Sequence, residues 1–490
     1  MICISINQES RRLALVDMLN AARQCDLLEV RLDRFGRAPE LGELLAAKPK
    51  PVIMSCRRAR DGGNWEGGEE ERLALLRQCI ISKADYVEIE LDVADQIRRF
   101  PPSRRVISYT NLQETPADIA DIYAEAQTKN PDVIKLVTLA RTPEEAWPLV
   151  QILGKARVPT VVVGLGKPGV MLSVLGRKIG APWTYAALER GMEAYPGQAT
   201  VSDLNDIYHY GSIEKGTRLI GVTGFGEREV ITTAVLNAVM AHLQLPARCL
   251  PLGVGNVKLF RKVMEAVKLA GAIVDQEHQH AVVEIATELH SAAKQVGAVD
   301  VLMHKGEVWH GFNTFVPTLI EGLTRTLKAK MENDDPIKGR MMVLVGLTAA
   351  ARALAAELQR QGGSVILASH QKKAGQQLAQ ELGCRFIQFE ALYSTMHDVL
   401  IVCAEEKDEV PGRTVGVHAG YLKKGMTVMD LTATSRRSDF LQQAADRGAL
   451  VVEPRQLLLA QLELQCRLLT GKQVPREVID KAVPETFAEE

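Results

Sequence analysis

Short apolar runs recur at intervals of about 25 residues through the first 212 positions of the chain. They cover Ile2–Ile6, Leu27–Leu32, Pro51–Ser55, Tyr86–Leu91, Arg105–Tyr109, Val133–Leu139, Thr160–Val163 and Thr184–Ala187. Their length and β-branched content read as buried strands, and most of the stretches between them carry a helical period. Eight βα units in one domain of this length predict an α/β fold, a TIM (β/α)8 barrel over residues 1–212. In such a barrel the chemistry sits at the C-terminal ends of the strands.

One run carries an amine in its middle. In Asp132-Val133-Ile134-Lys135-Leu136-Val137, Lys135 is expensive to bury unless it is paired or used. Two readings are open. The lysine snorkels from a strand end to water, or it is a desolvated amine that attacks a carbonyl to form a Schiff base. The other strand ends add a polar set: Glu29-Val30-Arg31-Leu32-Asp33, Ser55-Cys56-Arg57 with Asp61-Gly62-Gly63, Glu88-Ile89-Glu90, and the last loop Tyr195-Pro196-Gly197-Gln198. Strand alternation puts Glu29, Arg31 and Asp33 on one face, toward the barrel interior. Arginines and carboxylates buried together make either a structural ion-pair network or a site for a polar substrate.

Composition narrows the classes of function. The chain has 490 residues, enough for about three domains. Its 46% hydrophobic and 24% charged residues are ordinary for a soluble globular protein. A formal net charge of -1 offers nothing to a nucleic acid or an anionic membrane. No apolar run reaches membrane-spanning length, and the N-terminus enters a strand pattern without the features of a signal peptide. The eight cysteines are scattered with no CxxC pair, which predicts reduced thiols, no metal site and a cytoplasmic location.

The motifs Glu29-x-Arg31-x-Asp33, Ser55-Cys56-Arg57 followed by Asp61-Gly62-Gly63-x-Trp65, Ile107-Ser108-Tyr109 followed by Glu114-Thr115-Pro116, the lysine strand and Pro196-Gly197-Gln198 come in one order. Together they resemble type I 3-dehydroquinate dehydratase across the whole first half. The resemblance implies a Schiff base between Lys135 and the substrate ketone, followed by loss of water. It implies that Glu29, Arg31, Arg57 and Gln198 hold substrate hydroxyls or shape the pocket. The chain also departs from the pattern. The position of the family's acid/base histidine is Thr110, and loss of such a group typically costs about 10²–10⁴ in rate. The family's Ser-Arg pair, whose arginine clamps a carboxylate, falls on Leu172 and Ser173, and a serine near the last loop falls on Ala194.

Gly211-Ser212-Ile213-Glu214-Lys215-Gly216-Thr217 is the predicted linker, and Asn333–Gly339 a second boundary. Beyond it a predicted strand, 340–346, leads into a helix over Ala349–Gln361, and the next strand, Ser364–Ala368, ends at Ser369-His370-Gln371-Lys372-Lys373. This is a Rossmann-like βαβ unit. The basic patch suits a 2′-phosphate, hence NADP; an ordinary solvated loop is the other reading. The turn Gly346-Leu347-Thr348-Ala349-Ala350-Ala351-Arg352 keeps one glycine where a pyrophosphate needs close backbone approach. Gly346, Ser369, His370 and Lys372 are the predicted cofactor-binding residues.

Gly253–Lys262, Gly297–Asp300, Gly311–Phe315, Val343–Arg352 and the late helix with Gln461 together resemble shikimate dehydrogenase over residues 218 to about 475. The resemblance implies a substrate domain over 218–334, an NADP domain over 335–455, and C-terminal helices over 456–490 that pack back on the substrate domain. Lys262 would be catalytic, and Asn256, Asn313 and Gln461 would bind substrate. Phe315 stands where the family's catalytic aspartate belongs. The order of the two halves is that of fused proteins for consecutive steps of the shikimate pathway. Three readings of function follow: such a fusion, with one or both activities impaired; a non-catalytic scaffold or small-molecule sensor; or a Lys135 Schiff-base enzyme of changed specificity. The partners expected are small polyol acids such as 3-dehydroquinate and 3-dehydroshikimate and a second copy of the chain, with no nucleic acid and no membrane.

Overall fold

In the computed structural model, which describes residues 1–36, 40–329, 335–404, 406–407, 414–484 and 487, the eight predicted runs become one parallel sheet. Its strands are β1 (Ile2–Ile6), β2 (Leu27–Arg31), β3 (Val52–Ser55), β4 (Tyr86–Glu90), β5 (Arg104–Asn111), β6 (Val133–Leu139), β7 (Thr160–Leu165) and β8 (Thr184–Ala186). They are ordered β7-β6-β5-β4-β3-β2-β1-β8, and the two end strands approach each other, nearly closing a barrel. Six helices accompany them: α1 (Arg11–Ala21), α2 (Leu41–Ala46), α3 (Glu69–Ile81), α4 (Ile119–Thr128), α5 (Pro143–Lys155) and α6 (Gly169–Ile179). The start of α5 is written locally. Thr142 accepts a hydrogen bond from the Glu145 N–H, and Pro143 takes the first helical position, where its missing N–H costs nothing.

Alternate side chains of these strands, Cys3, Leu27, Ile53, Val106, Val133, Val137, Val161, Val163 and Tyr185, pack into one core cluster with Trp183, the residue before β8. Lys135 shares the face of Val133 and Val137 and pairs in register with Ser108 on β5 and Val161 on β7. Two differences from the sequence expectation bear on the site. First, β2 ends at Arg31, and Asp33 lies in the 3-10 turn Leu32–Arg34. The Asp33 carboxylate accepts from Arg31 and from the backbone N–H groups of Arg57 and Asn64, which holds the chain in that turn. Second, β5 runs on to Asn111 because Thr110 and Asn111 still pair with Val137 and Thr138. Thr110 is therefore a strand residue.

The barrel residues cluster with Pro246–Val267 in one compact unit; 219–245 and 268–490 form the other. In chain order the next elements are β9 (Arg218–Thr223), α7 (Glu227–His242), β10 (Ala247–Leu252) and α8 (Val257–Ala266). They are followed by β11 (Leu269–Ile273), β12 (Glu288–Leu289), α9 (Ser291–Val296), β13 (Val301–Lys305), β14 (Val308–Phe312) and α10 (Phe315–Lys328). Within the second unit, β11 pairs parallel with β9 and antiparallel with β13, β13 pairs antiparallel with β14, and β12 lies parallel to β14. The predicted end of this region, at 334, lies outside the described residues, as does Asn333.

The remaining strands are β15 (Met341–Val345), β16 (Ser364–Ser369), β17 (Arg385–Gln388), β18 (Val399–Val402), the short hairpin β19 (Glu406–Lys407) and β20 (Thr414–Val415), β21 (Thr427–Asp430) and β22 (Leu450–Val451). The helices are α11 (Ala349–Arg360), α12 (Lys372–Leu382), α13 (Asp439–Asp446), α14 (Pro454–Thr470) and α15 (Arg476–Lys481). Apart from the hairpin, these strands form one parallel sheet ordered β17-β16-β15-β18-β21-β22, the doubly wound order of a Rossmann fold. Apolar clusters cover it on both faces, as a parallel sheet requires.

Candidate active site

Lys135 is 2% exposed and does not snorkel. Its Nζ lies 2.8 Å from Glu88 Oε2 and 3.4 Å from Glu29 Oε1, and 4.3 Å from the centroid of the Tyr185 ring. Arg57 bonds Glu29 through Nη2 and approaches Glu88 Oε1 with Nε at 3.4 Å. Ser5 donates to the second oxygen of Glu29 at 2.7 Å. Two carboxylates and two cations thus form a buried quartet with no net charge. Desolvation alone would raise the Glu29 carboxyl. Arg57, then Lys135 and Arg31, outweigh it and hold that carboxyl well below the usual range.

The quartet lies against a cavity of about 310 Å³. Of the residues predicted for the first half, Lys135, Glu29, Arg31, Arg57 and Gln198 all line it, so the structure brings the whole set together. Their circumstances differ. Arg31 is held by Asp33 through two hydrogen bonds of 2.9 and 2.7 Å, a structural pair at the rim. The Gln198 carbonyl accepts from the Ala194 N–H at 2.7 Å, which folds the last loop onto itself. Gly197 in that loop has φ +86, and a Cβ there would lie 2.2 Å from the Gly166 carbonyl oxygen; only glycine allows this approach. Glu90 leaves the set, because it is taken by Arg72 of α3 at 2.7 Å. Thr110 and Ala194 line the cavity, whereas Ser173 is buried in α6 and is not among the lining residues.

Glu88 stood in the polar set of strand ends without an assigned role, and Tyr185 and Arg34 were not singled out from sequence. Glu88 is the nearer partner of Lys135, and its inward position on β4 was the signal available. Tyr185 supplies the ring beneath the amine. Arg34 lines the cavity and has no carboxylate within ion-pair distance among the described residues.

In the second unit the predicted residues have mainly structural partners. The Asn313 side chain donates to the Ala298 carbonyl at 3.1 Å and accepts from the Val316 N–H at 3.0 Å. Gln461 of α14 donates to Asp300 at 3.2 Å and accepts from Arg228 at 2.9 Å. Burial pushes the Asp300 carboxyl up to about 6, although Thr314 and Gln461 bond to it. Phe315 is buried, with the Arg228 guanidinium 5.6 Å from its ring centroid. In the first unit, Asn256 caps α8, accepting from Lys258 N–H at 2.9 Å, and Lys262 is exposed on the same helix.

Gly346, Ser369 and His370 lie at or just past the C-terminal ends of β15 and β16. Gly346 has φ +97 and packs against the Ala404 backbone. The Ser369 hydroxyl accepts from the Gln371 N–H, His370 Nδ1 lies 3.0 Å from Glu390, and Lys372 is exposed at the start of α12.

Fold and cavity together define an α/β barrel with a buried lysine at its catalytic end, joined to a chain that contains a doubly wound sheet. Residues 2–215 match the family described as type I 3-dehydroquinase. The bifunctional 3-dehydroquinate dehydratase/shikimate dehydrogenase, chloroplastic, of Arabidopsis thaliana is 25% identical over 476 residues, which is 92% of this chain and 79% of that protein. The 3-dehydroquinate dehydratase of Methanopyrus kandleri is 35% identical over 187 residues, 36% of this chain and 84% of that protein. The shikimate dehydrogenase (NADP(+)) of Syntrophobacter fumaroxidans is 26% identical over 263 residues, 53% of this chain and 89% of that protein. The chain belongs to the type I 3-dehydroquinate dehydratase family and continues into shikimate dehydrogenase homology, the arrangement of a fused shikimate-pathway protein. Among the described residues, no helix is long and apolar enough to cross a membrane.

Proposed function

We propose that the barrel dehydrates 3-dehydroquinate through an imine at Lys135, and that the second half keeps the shikimate dehydrogenase scaffold with weakened redox chemistry. The observation that carries the first part is the Lys135 amine, 2% exposed, flanked by Glu88, Glu29 and Tyr185 at a cavity large enough for a small polyol acid. An iminium on the substrate withdraws electrons from the neighbouring C–H, so that a proton leaves there and water departs from the adjacent carbon. Glu29, Arg57 and Gln198 would meet substrate hydroxyls. Arg34 is the cation left for the carboxylate, since Arg31 is engaged with Asp33. Borohydride trapping with 3-dehydroquinate, read by intact-mass spectrometry, tests this. Wild type should gain one substrate-sized adduct and Lys135→Ala none; no adduct on wild type at millimolar substrate overturns it.

The second part rests on how the dinucleotide turn is built. The Thr348 hydroxyl already accepts from the Ala351 N–H at 3.1 Å, occupying a donor at the start of α11 that a pyrophosphate would use. Gly346 is the one glycine of that turn and packs against Ala404, and Glu390 places a carboxylate on His370. These residues fit NADP poorly. By resemblance Asn313 and Gln461 in the second unit, and separately Lys262 and Asn256 in the first, are assigned to shikimate-like chemistry, and Gly346, Ser369, His370 and Lys372 to residual cofactor contact. Phe315 cannot polarise a lysine or a hydroxyl, which favours binding over turnover in this half. The domain limits 1–212, 218–334, 335–455 and 456–490, a cytoplasmic location and a homodimer belong to the same proposal.

A further inference from the structure

Among the described residues, three that line the cavity carry a buried polar atom without a hydrogen-bond partner: the Nε of Arg34, the Nε of Arg57 and the hydroxyl of Tyr185, the one neutral group of the three. Tyr185 is 5% exposed, lines the cavity, and its hydroxyl makes no hydrogen bond. A buried hydroxyl without a partner costs about 1–3 kcal/mol, so such groups call for a reason. Here the ring is explained by packing, since it lies under the Lys135 amine at 4.3 Å and within the barrel core. A phenylalanine would do as much. The oxygen is not explained by the fold.

The Thr110 and Tyr195 hydroxyls also line the cavity, but the ring under the amine is that of Tyr185, and the nearest other groups are engaged. Ser5 donates to Glu29, Glu29 is bound by Arg57, and Glu88 is bound by Lys135 itself. Among the described residues, no histidine lines the cavity. Imine formation needs a group that gives a proton to oxygen and accepts one from nitrogen within the same site.

We infer that the Tyr185 hydroxyl is the proton relay for imine formation at Lys135. The inference rests on the Lys135 reading above. Lys135 first gives its ammonium proton to solvent; attack by the neutral amine then forms the C–N bond and moves the carbonyl π pair onto oxygen. Tyr185 gives its proton to that oxygen and takes one back from the new ammonium nitrogen. The result is a neutral carbinolamine and an unchanged phenol. The oxygen then takes one proton from solvent and leaves as water while the nitrogen lone pair forms the iminium. Burial, together with the nearby Glu29 and Glu88 carboxylates, pushes the phenol well above its ordinary value, so it enters each cycle protonated.

Tyr185→Phe keeps the ring and removes only the unpartnered oxygen. Its melting temperature should equal or exceed that of wild type, because no protein hydrogen bond is lost. The rate of borohydride-trapped imine formation at saturating 3-dehydroquinate should fall about 10²-fold, while the substrate concentration for half-maximal rate changes less than about threefold. A trapping rate within twofold of wild type overturns the relay and leaves the Lys135 imine intact. A loss seen only as weaker binding also overturns it, since that marks a substrate-holding hydroxyl. Failure of wild type itself to trap overturns the imine reading and the relay with it.

Discussion

Replacing Lys135 with methionine removes one charge from the buried quartet and leaves the other three. Glu29 and Glu88 are 1% and 4% exposed, so neither can recover its lost partner from bulk water. Arg57 alone must then serve both carboxylates, and its approach to Glu88 is the long one, 3.4 Å. Removing one partner of a buried ion pair costs about 3–5 kcal/mol. The cavity beside the quartet admits some water, which places the expected cost near the lower end, about 3 kcal/mol. For a unit of this size that is a drop of roughly 6–12 °C in melting temperature. Calorimetry of the full chain measures it. The double variant Lys135→Met/Glu88→Gln restores neutrality and should recover at least about 1 kcal/mol, because the two sites touch. The pH dependence has a definite sign. The Glu29 carboxyl is depressed in the folded state, so its stabilisation is complete above the ordinary glutamate value of about 4.3 and is lost as pH falls through the folded value. Without Lys135 the folded value rises, and protonation relieves the unpaired charge sooner. The deficit against wild type should therefore narrow below about pH 5. A Lys135→Met protein that melts within about 2 °C of wild type, with no recovery in the double variant, refutes the reasoning.

Two further outcomes are expected. Asp300 is raised in the folded state to about 6, so its folded form binds a proton more tightly than its unfolded form. The stability of wild type relative to Asp300→Asn should then fall by about 2 kcal/mol between pH 4 and 7; a difference that stays flat in denaturant titrations across that range contradicts it. NADPH at about 1 mM should raise the melting temperature of wild type by less than about 1 °C, and Thr348→Gly, which frees the Ala351 N–H, should increase that protection. Protection of wild type by several degrees would show that the turn accepts a dinucleotide as it stands.

The barrel was legible in the sequence because its signal is local. A strand announces itself over about six residues, and the eight announcements needed only to be counted. The doubly wound sheet was legible for the same reason, from β15, α11 and β16. Lys135 was legible as an anomaly, an amine where the pattern demands an apolar side chain. Glu29, Arg31, Arg57 and Gln198, read from strand ends and the last loop, all line the one cavity. Asp33 was assigned to the interior face by extending the alternation one step beyond the strand. The turn imposed by its four hydrogen-bond donors could not be seen from the period alone.

What the sequence determined by itself is therefore the order of strands, the ends that face the cavity and the presence of one lysine among them. Which groups touch that lysine was decided only by closure of the sheet. Glu29 lies 106 positions from Lys135 and Glu88 lies 47. No pattern within either segment encodes the 3.4 and 2.8 Å contacts that result. The same holds for Tyr185, whose hydroxyl could be known to lack a partner only once every neighbour was in place. Periodicity reports which face a residue takes; the pairing of charges and the orphaning of a donor depend on distances across the barrel, and those exist only in the folded chain.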